Sequence, residues 1–203
     1  MLTALVAFLD TLASTEHPYL RYLDGDAAAL PDQAKAGLEL FRGKASCSQC
    51  HGGELLIDGE LHALGVPENQ AVFQEPMRHM VFRRFLRGLG VSDYVAVRSD
   101  PGLFSQTLAE PDRGKFRTPS LLEAARTWPY MHNGVFETLT DVVYFYNRGG
   151  GDGPNQDPLL RPLGLSDEEI VNLVVFLESL GSEEPPIEVL KPPPYQPRTL
   201  GEN

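Results

Sequence analysis

The stretch Cys47-Ser48-Gln49-Cys50-His51 decides how the rest of this chain is interpreted. Two cysteines at this spacing can each form a thioether bond to one edge of a porphyrin, and the histidine that follows is then placed to bind the iron. The C-x-x-C-H pattern is typical of covalent c-type haem attachment. A purely redox-active cysteine pair does not need the adjacent histidine, and a zinc site would need a second pair of ligands. The motif therefore predicts covalently bound haem c, with Cys47 and Cys50 as attachment points and His51 as the proximal iron ligand.

The composition limits what this motif can support. The chain has 203 residues, enough for one well-buried domain, and its 2 cysteines both lie in the motif. It can therefore hold one haem covalently, and it has no structural disulfide. The formal charge of −11, from 28 acidic and 17 basic residues, argues against nucleic acid as a partner, because phosphate binding requires the opposite sign. The same charge suits either a basic protein partner or a simple solvated surface.

The N-terminal segment, residues 1–13, is apolar but too short to span a membrane, and no other stretch is long enough. It lacks a basic start and contains Asp10, so it differs from a signal peptide. Its apolar residues recur at helical spacing, which predicts an amphipathic helix. Those residues are Leu2, Leu5, Val6, Leu9, Leu12 and Ala13. Because haem attachment of this kind takes place outside the bacterial cytoplasm, we expect a periplasmic protein whose leader or leading domain has been removed or split off.

The remaining patterns predict a mostly α-helical, cytochrome c-like haem domain of short helices and long loops. We assign residues 1–30 to an N-terminal helical arm and linker, residues 31–183 to the haem domain, and residues 184–203 to a proline-rich, extended tail. Within the domain, Gly37 lies in the middle of a helix predicted over residues 31–43. A glycine at such a position indicates that another helix crosses closely.

Further helix signals follow the haem motif. A capping box of Ser166 and Glu169 opens the last predicted helix of the domain. Helices are also predicted over residues 77–86, over residues 120–126, and after a cap at Thr138 or Thr140. Residues 52–75 show little periodicity, which predicts a long loop, and strand signals are few.

Several segments, taken in order, resemble the bacterial di-haem cytochrome c peroxidase and MauG family. The similarity is to the C-terminal haem half of such a protein and extends over nearly all of residues 1–182. The order and spacing of the segments around the haem motif make the resemblance specific. The matching segments are AGLELF at 36–41, GKFRTPSL at 114–121, PYMHNG at 129–134 and FYNRGG at 145–150.

Members of this family normally carry two haem motifs in one chain, and the N-terminal haem is the one that meets peroxide. The present chain has one motif. The resemblance therefore implies the electron-transfer haem of a peroxide-dependent oxidoreductase, with a second haem domain or redox protein as its partner. Two alternatives stay open: a stand-alone, single-haem electron-transfer cytochrome c without peroxidase activity, and a single-haem enzyme with an open sixth iron site.

The iron ligand opposite His51 distinguishes these functions. Tyr146 shares the apolar face of its predicted helix with Leu139, Val142 and Val143, so the pattern points its side chain inward. On that pattern alone, a buried tyrosine with a hydrogen-bonded hydroxyl is the simpler interpretation. The resemblance implies more, because the position of Tyr146 is that of a methionine in the peroxidases and of a tyrosine in MauG-like proteins. Tyr146 is therefore our distal candidate.

Met131 is the alternative distal ligand, since methionine raises the haem potential and suits electron transfer. Its competing interpretation is a core residue that fills an irregular gap. Met77, Met80 and His79 are further candidates from a poorly patterned segment, and we rank them below Tyr146 and Met131.

The resemblance also implies contacts around the haem. Haem propionates are anionic and need cations or hydrogen-bond donors, and Arg117 and His132 lie in the matching segments. Their competing interpretations are a solvated arginine and a core histidine with ordinary partners. In the family, a calcium ion between the two haems takes backbone carbonyl oxygens at positions that match Thr127 and Pro129, with a further ligand from the other half.

Overall fold

The structure confirms the helical class. The computed structural model describes residues 2–12, 17–74, 76–97, 99–153 and 155–182, so the predicted tail at 184–203 lies outside the described residues. Within these ranges the helices are α1 (Leu2–Leu12), α2 (Pro18–Leu23), α3 (Asp32–Arg42), α4 (Gln70–Phe73), α5 (Pro76–Gly88), α6 (Phe104–Thr107), α7 (Leu139–Asn147) and α8 (Asp167–Glu178). The strands are β1 (Leu61–Ala63) and β2 (Lys115–Arg117).

Helices α3 and α8 cross at the centre of the main core. The buried face of α3 carries Ala34, Leu38 and Phe41. Gly37 lies at the crossing, where a Cβ atom would stand 2.0 Å from the carbonyl oxygen of Asn172 on α8. The backbones can approach this closely only because residue 37 has no side chain. The predicted close crossing at this glycine is therefore confirmed.

Helix α8 begins at the predicted capping box. The Ser166 hydroxyl accepts a hydrogen bond from the amide of Glu169 at 3.3 Å, and the Glu169 carboxylate accepts one from the amide of Ser166 at 2.8 Å. The two bonds satisfy amides that the first helical turn leaves without partners. The helix buries Phe176 completely, and the ring centroids of Phe176 and Phe41 are 5.1 Å apart. Truncating a phenylalanine buried this deeply typically costs about 3–5 kcal/mol.

Helix α7 packs beside α8 and begins at Thr138, one of its two predicted caps. The Thr138 hydroxyl accepts a hydrogen bond from the amide of Asp141 at 3.1 Å. Val143 and Phe145 are buried, whereas Tyr146 is half-buried. The helix therefore fills the core with one set of side chains and leaves Tyr146 facing the cavity described below.

A two-stranded antiparallel sheet lies between the haem motif and α7, and the sequence did not predict it. β1 pairs with β2 so that His62 stands opposite Phe116 and Ala63 opposite Lys115. Each strand has three residues, too few to show an alternating pattern. The chain between them, residues 64–114, contains α4, α5 and α6 and builds a second small core around Leu86.

Three other elements differ from, or refine, the sequence predictions. Helix α2 was not predicted, and the helix expected over residues 120–126 is only a 3₁₀ turn at Ala124–Arg126. Helix α1 forms as expected, but its described apolar side chains Leu5 and Val6 are about half exposed. No helix in the described part of the chain has the length and apolar character needed to cross a membrane.

Candidate haem-binding site

Nine of the predicted site residues, far apart in the sequence, line one cavity of about 540 Å³. This volume lies within the range of roughly 300–1,000 Å³ that small-molecule and cofactor sites occupy. The predicted residues in its wall are Cys47, Cys50, His51, Arg117, Thr127, Pro129, Met131, His132 and Tyr146. Apolar side chains of α3, α7 and α8 complete the wall, among them Phe41, Val142, Leu173 and Leu177. An apolar cavity with a few polar groups suits a flat aromatic ring with a charged edge.

The attachment motif itself forms a tight turn. Residues Cys47–Gln49 make a 3₁₀ turn, and the amide of His51 donates a hydrogen bond to the carbonyl of Cys47 at 2.9 Å. The two cysteines are not joined by a disulfide. Burial raises the pKa of Cys47 to about 12 and that of Cys50 to about 11. Both are therefore neutral thiols at physiological pH.

His51 is oriented as a metal ligand. Its Nδ1 lies 3.0 Å from the carbonyl oxygen of Leu56. Because a carbonyl only accepts, Nδ1 must carry the proton, and Nε2 is left with a lone pair for the iron. Burial lowers the pKa of His51, although hydrogen bonds with the backbone of Leu56 and Pro119 and the charge of Asp58 oppose it, so the ring is in the neutral form that binds metals. A histidine that donates its second ring N–H to a backbone carbonyl is the usual arrangement at metal sites.

The carbonyl of Leu56 is held by its surrounding loop. Leu56 adopts a left-handed backbone conformation with φ of 52°, and its side chain is buried. The amide of Ile57 bonds to the carbonyl of Gly52 at 2.9 Å, and the Ser120 hydroxyl donates to the carbonyl of Leu55 at 2.7 Å. This partner of His51 could not be predicted from the sequence, because nothing in the pattern of residues 52–75 marks one carbonyl among many.

Both distal candidates face the cavity. Burial, and then the sulfurs of Cys47 and Cys50, raise the pKa of Tyr146 above its ordinary value. The phenol is therefore neutral until a cation lies beside its oxygen. Within the described chain, the Tyr146 hydroxyl makes no hydrogen bond to another residue. Met131 also lines the cavity and has a φ of 69°, which is rare for a non-glycine residue.

The three lower-ranked candidates lie elsewhere. Met80 and His79 line a separate surface groove along α5, together with arginines of the same helix. Met77 is 66% exposed. None of the three contributes to the wall of the haem cavity.

Arg117 and His132 stand at the polar part of the wall. Arg117 ends β2, and the His132 ring stacks on Phe116 of the same strand with centroids 3.7 Å apart and planes 13° apart. Burial lowers the pKa of His132, with Asp100 opposing, so its ring is a neutral donor and acceptor. Arg117 places a positively charged side chain in the cavity wall.

Thr127 and Pro129 also line the cavity and offer backbone carbonyl oxygens. Calcium takes six to eight oxygen ligands, so two carbonyls make only part of a site. These residues fit a calcium ion only if other groups complete its coordination.

A helical fold around this cavity, with a C-x-x-C-H turn and an inward-facing neutral histidine, defines a haem domain of the cytochrome c type. No protein-family model matches the chain. It is 45% identical over 198 residues to cytochrome-c peroxidase IdrP2 of Denitromonas iodatirespirans, covering 97% of this chain and 52% of the relative. It is 31% identical over 180 residues to the methylamine utilization protein MauG of Methylorubrum extorquens, covering 89% and 43% respectively.

Solved structures agree with the sequence comparison. The diheme peroxidase BthA from Burkholderia thailandensis superimposes with a TM-score of 0.66 at 25% identity, over 86% of this chain and 48% of BthA. A MauG-like protein associated with microbial copper homeostasis gives 0.64 at 28% identity, over 84% and 49%. The chain is homologous to one haem half of proteins of the bacterial di-haem cytochrome c peroxidase and MauG family. It spans about half the length of the relatives it matches.

Proposed function

We propose that this chain carries one covalently attached haem c and serves as the electron-transfer haem domain of a peroxide-dependent oxidoreductase. The proposal rests on the position and the hydrogen bond of His51. This residue directly follows the second cysteine of the motif, and its Nδ1–H donates a hydrogen bond to the Leu56 carbonyl at 3.0 Å. The haem would supply one-electron chemistry. The names of the relatives, peroxidase and MauG, support the peroxide-dependent class.

The chain's own residues have separate roles in this proposal. Cys47 and Cys50 would fix one porphyrin edge, and His51 would bind the iron through Nε2. Arg117 and His132 would hold the propionates. The apolar faces of α3, α7 and α8 exclude water from the ring, which strengthens every electrostatic contact inside the cavity.

Tyr146 is proposed as the distal ligand. It lies in the cavity wall with a neutral phenol and no protein hydrogen bond in the described chain. A tyrosinate lowers the haem potential relative to a methionine ligand, so this choice favours a MauG-like haem over a high-potential electron carrier. The proton released on binding would leave through solvent.

The proposal also includes a redox partner for this haem domain and a cellular location. A second haem domain, or a separate redox protein, would meet peroxide and exchange electrons with this haem, as the half-length match to the relatives suggests. That partner would also complete the calcium site begun by Thr127 and Pro129. Because covalent haem attachment takes place outside the bacterial cytoplasm, we place the protein in the periplasm.

The test is the ferric optical and electron paramagnetic resonance spectrum of three purified variants. Tyr146→Phe is expected to change both spectra because it removes the iron ligand. Tyr144→Phe is the matched control: this residue lies on the same helix, is 45% exposed, and donates its hydroxyl to Asp167 at 3.0 Å. Met131→Leu is expected to leave the spectra unchanged.

The opposite result would change the assignment. If Met131→Leu altered the spectra and Tyr146→Phe did not, the haem would be methionine-ligated, and the stand-alone electron-transfer cytochrome would replace the proposed function. A pyridine haemochrome assay that found no thioether-linked haem in the wild-type chain would refute the proposal altogether.

A further inference from the structure

A charged cluster lies beside the haem motif, and none of the roles above uses it. His62 of β1 stands between two carboxylates, with Nδ1 2.6 Å from Asp157 and Nε2 2.9 Å from Asp58. The side chains of all three residues are largely buried, with exposures between 14% and 18%. His62 and Asp157 line the cavity, and a nitrogen of His62, an oxygen of Asp58 and the sulfur of Cys50 lie within 4.8 Å of one another.

Every polar atom of this cluster has a partner. The second oxygen of Asp58 accepts from the amide of Glu60 at 2.9 Å, and the second oxygen of Asp157 accepts from the amide of Leu159 at 2.8 Å. Both ring nitrogens of His62 face carboxylate oxygens, so both donate and the ring is an imidazolium. Burial alone would lower the pKa of His62, but the two carboxylates outweigh it and raise that pKa. Charge-assisted bonds of this kind are about twice as strong as neutral ones.

The cluster is rigidly attached on the side away from the haem motif. His62 pairs with Phe116 in the β1–β2 ladder, and the amide of Asp157 donates to the carbonyl of Ala63 at 2.9 Å. These bonds fix the position of the His62 ring from two directions. The remaining hydrogen bond of the His62 ring, to Asp58, therefore holds the loop between the haem motif and β1 against this fixed ring.

Asp58 lies two residues after Leu56, whose carbonyl accepts the Nδ1–H of His51. The same segment is also held by the Ser120–Leu55 bond, by the Ile57–Gly52 bond, by the bond from the amide of Leu56 to the carbonyl of Gly53 at 3.3 Å, and by a hydrogen bond between Asp58 and the side chain of Thr118. If the bond from His62 to Asp58 is lost, the Leu56 carbonyl keeps the neighbouring Ile57–Gly52 bond but loses the side-chain anchor two residues further along the chain. The hydrogen bond that orients the proximal histidine then weakens.

We propose that His62 is a positioning residue for the haem iron: clamped by Asp157, it holds Asp58 and thereby the Leu56 carbonyl against Nδ1–H of His51. The inference rests on the proposed function, since the iron ligand is His51. A strong bond from Nδ1–H to a carbonyl makes the imidazole a better donor and stabilises the ferric state. The clamp therefore lowers the reduction potential of the haem.

The decisive variant is His62→Gln, which keeps size and polarity but cannot donate to both carboxylates. The first readout is solvent exchange of the His51 Nδ1 proton, followed by NMR through its hyperfine-shifted resonance. We expect exchange at least tenfold faster than in the wild type. The second readout is the midpoint potential, which we expect to rise as the hydrogen bond weakens.

The direction in which the midpoint potential changes in His62→Gln distinguishes a positioning role of His62 from a direct effect of its charge. Removing the positive charge of His62 would, by electrostatics alone, disfavour the reduced haem and lower the potential. A matched control is Lys35→Gln, which removes a positive charge from an exposed pair with Asp32 on α3 and should alter neither readout. An unchanged exchange rate in His62→Gln, or a potential that falls, overturns the proposal.

Two further measurements test the role of His62 if the His62→Gln variant does not fold or if the chain holds no haem. If His62→Gln does not fold, Asp58→Asn tests the same link, and an Nδ1–H exchange rate equal to that of the wild type would refute it. If the wild-type chain holds no covalent haem, the proposed function fails separately. In that case the tautomer of His51, read from the ring ¹⁵N shifts of the haem-free chain, tests the clamp. A fixed Nδ1–H tautomer in the wild type that becomes a mixture in His62→Gln supports it. Identical tautomers in the two chains refute it.

Discussion

Replacing Gly37 with alanine should separate the two helices that form the core of this domain. The added methyl carbon would stand 2.0 Å from the carbonyl oxygen of Asn172 and 2.7 Å from the Cβ of Phe176. Two of its three nearest atoms belong to the backbone of α8, which cannot rotate away as a flexible side chain would. Relieving the contact therefore requires α3 and α8 to move apart by about 1 Å.

Two opposing effects set the magnitude. Alanine is favoured over glycine in a helix by about 1 kcal/mol. A gap of about 1 Å forfeits up to half of the dispersion energy between facing side chains, and overpacking a core typically costs about 1–3 kcal/mol and sometimes more. Because the added methyl group would meet backbone atoms, we expect the overpacking cost of Gly37→Ala to lie at the upper end of this range. We expect a net loss of about 2 kcal/mol, equivalent to a fall in Tm of about 4–8 °C for a domain of this size.

Urea unfolding followed by far-ultraviolet circular dichroism measures this loss, with the haem absorption spectrum as a second probe. The cavity wall includes Phe41 of α3 and Leu177 of α8, so the separation should also lower the haem content. Gly88→Ala is the control, because a Cβ at this helical position meets no described atom within 4 Å. A Gly37→Ala variant as stable as the wild type would refute the close crossing and the packing argument built on it.

Three further features lead to measurable outcomes. They are the Thr138 cap of α7, the charged cluster around His62, and the backbone carbonyls of Thr127 and Pro129. Thr138→Ala should cost about 1 kcal/mol in urea unfolding, because the first turn of α7 loses its capping bond. Because folding raises the pKa of His62 above 6.5, the cluster's stabilisation is complete below pH 6.5 and is lost as the pH rises through the folded-state pKa. The pKa of Asp157 is lowered from 3.8, so its contribution is present above that pH and is lost only as the pH falls through the lower folded-state value. The wild-type urea midpoint should therefore fall above pH 6.5, and it should fall less in His62→Gln. Isothermal titration with calcium should show no tight site in the isolated chain, since Thr127 and Pro129 provide two carbonyls where six to eight oxygens are needed.

The elements that could be predicted from sequence are those whose signals are local. The capping box at Ser166 and the apolar face of α8 lie within a few residues of one another, and so does the attachment motif. Gly37 also carried local information, because a glycine in an otherwise regular helix needs a packing reason. The crossing partner, Asn172, is 135 positions away and had no signal of its own.

The part of the site that sequence reasoning missed depends on pairing between distant segments. His62 meets Asp157 across 95 positions, and β1 meets β2 across more than 50. A histidine four residues after an aspartate was the available local signal, but the same spacing is common on solvated surfaces. Only the strand register shows that His62 points at the cavity edge, and only the fold brings Asp157 to its other nitrogen.

Three of the six described non-glycine residues with positive φ lie at the haem site. Ser46, Leu56 and Met131 have φ values of 54°, 52° and 69°, a conformation that disfavours side chains with a Cβ. One precedes the attachment turn, one presents the carbonyl to His51, and one lines the cavity. Such strain costs on the order of 1–3 kcal/mol per residue and persists only where the surroundings over-determine the backbone. For Leu56 such surroundings are evident, because its buried side chain anchors the loop whose carbonyl orients the iron ligand.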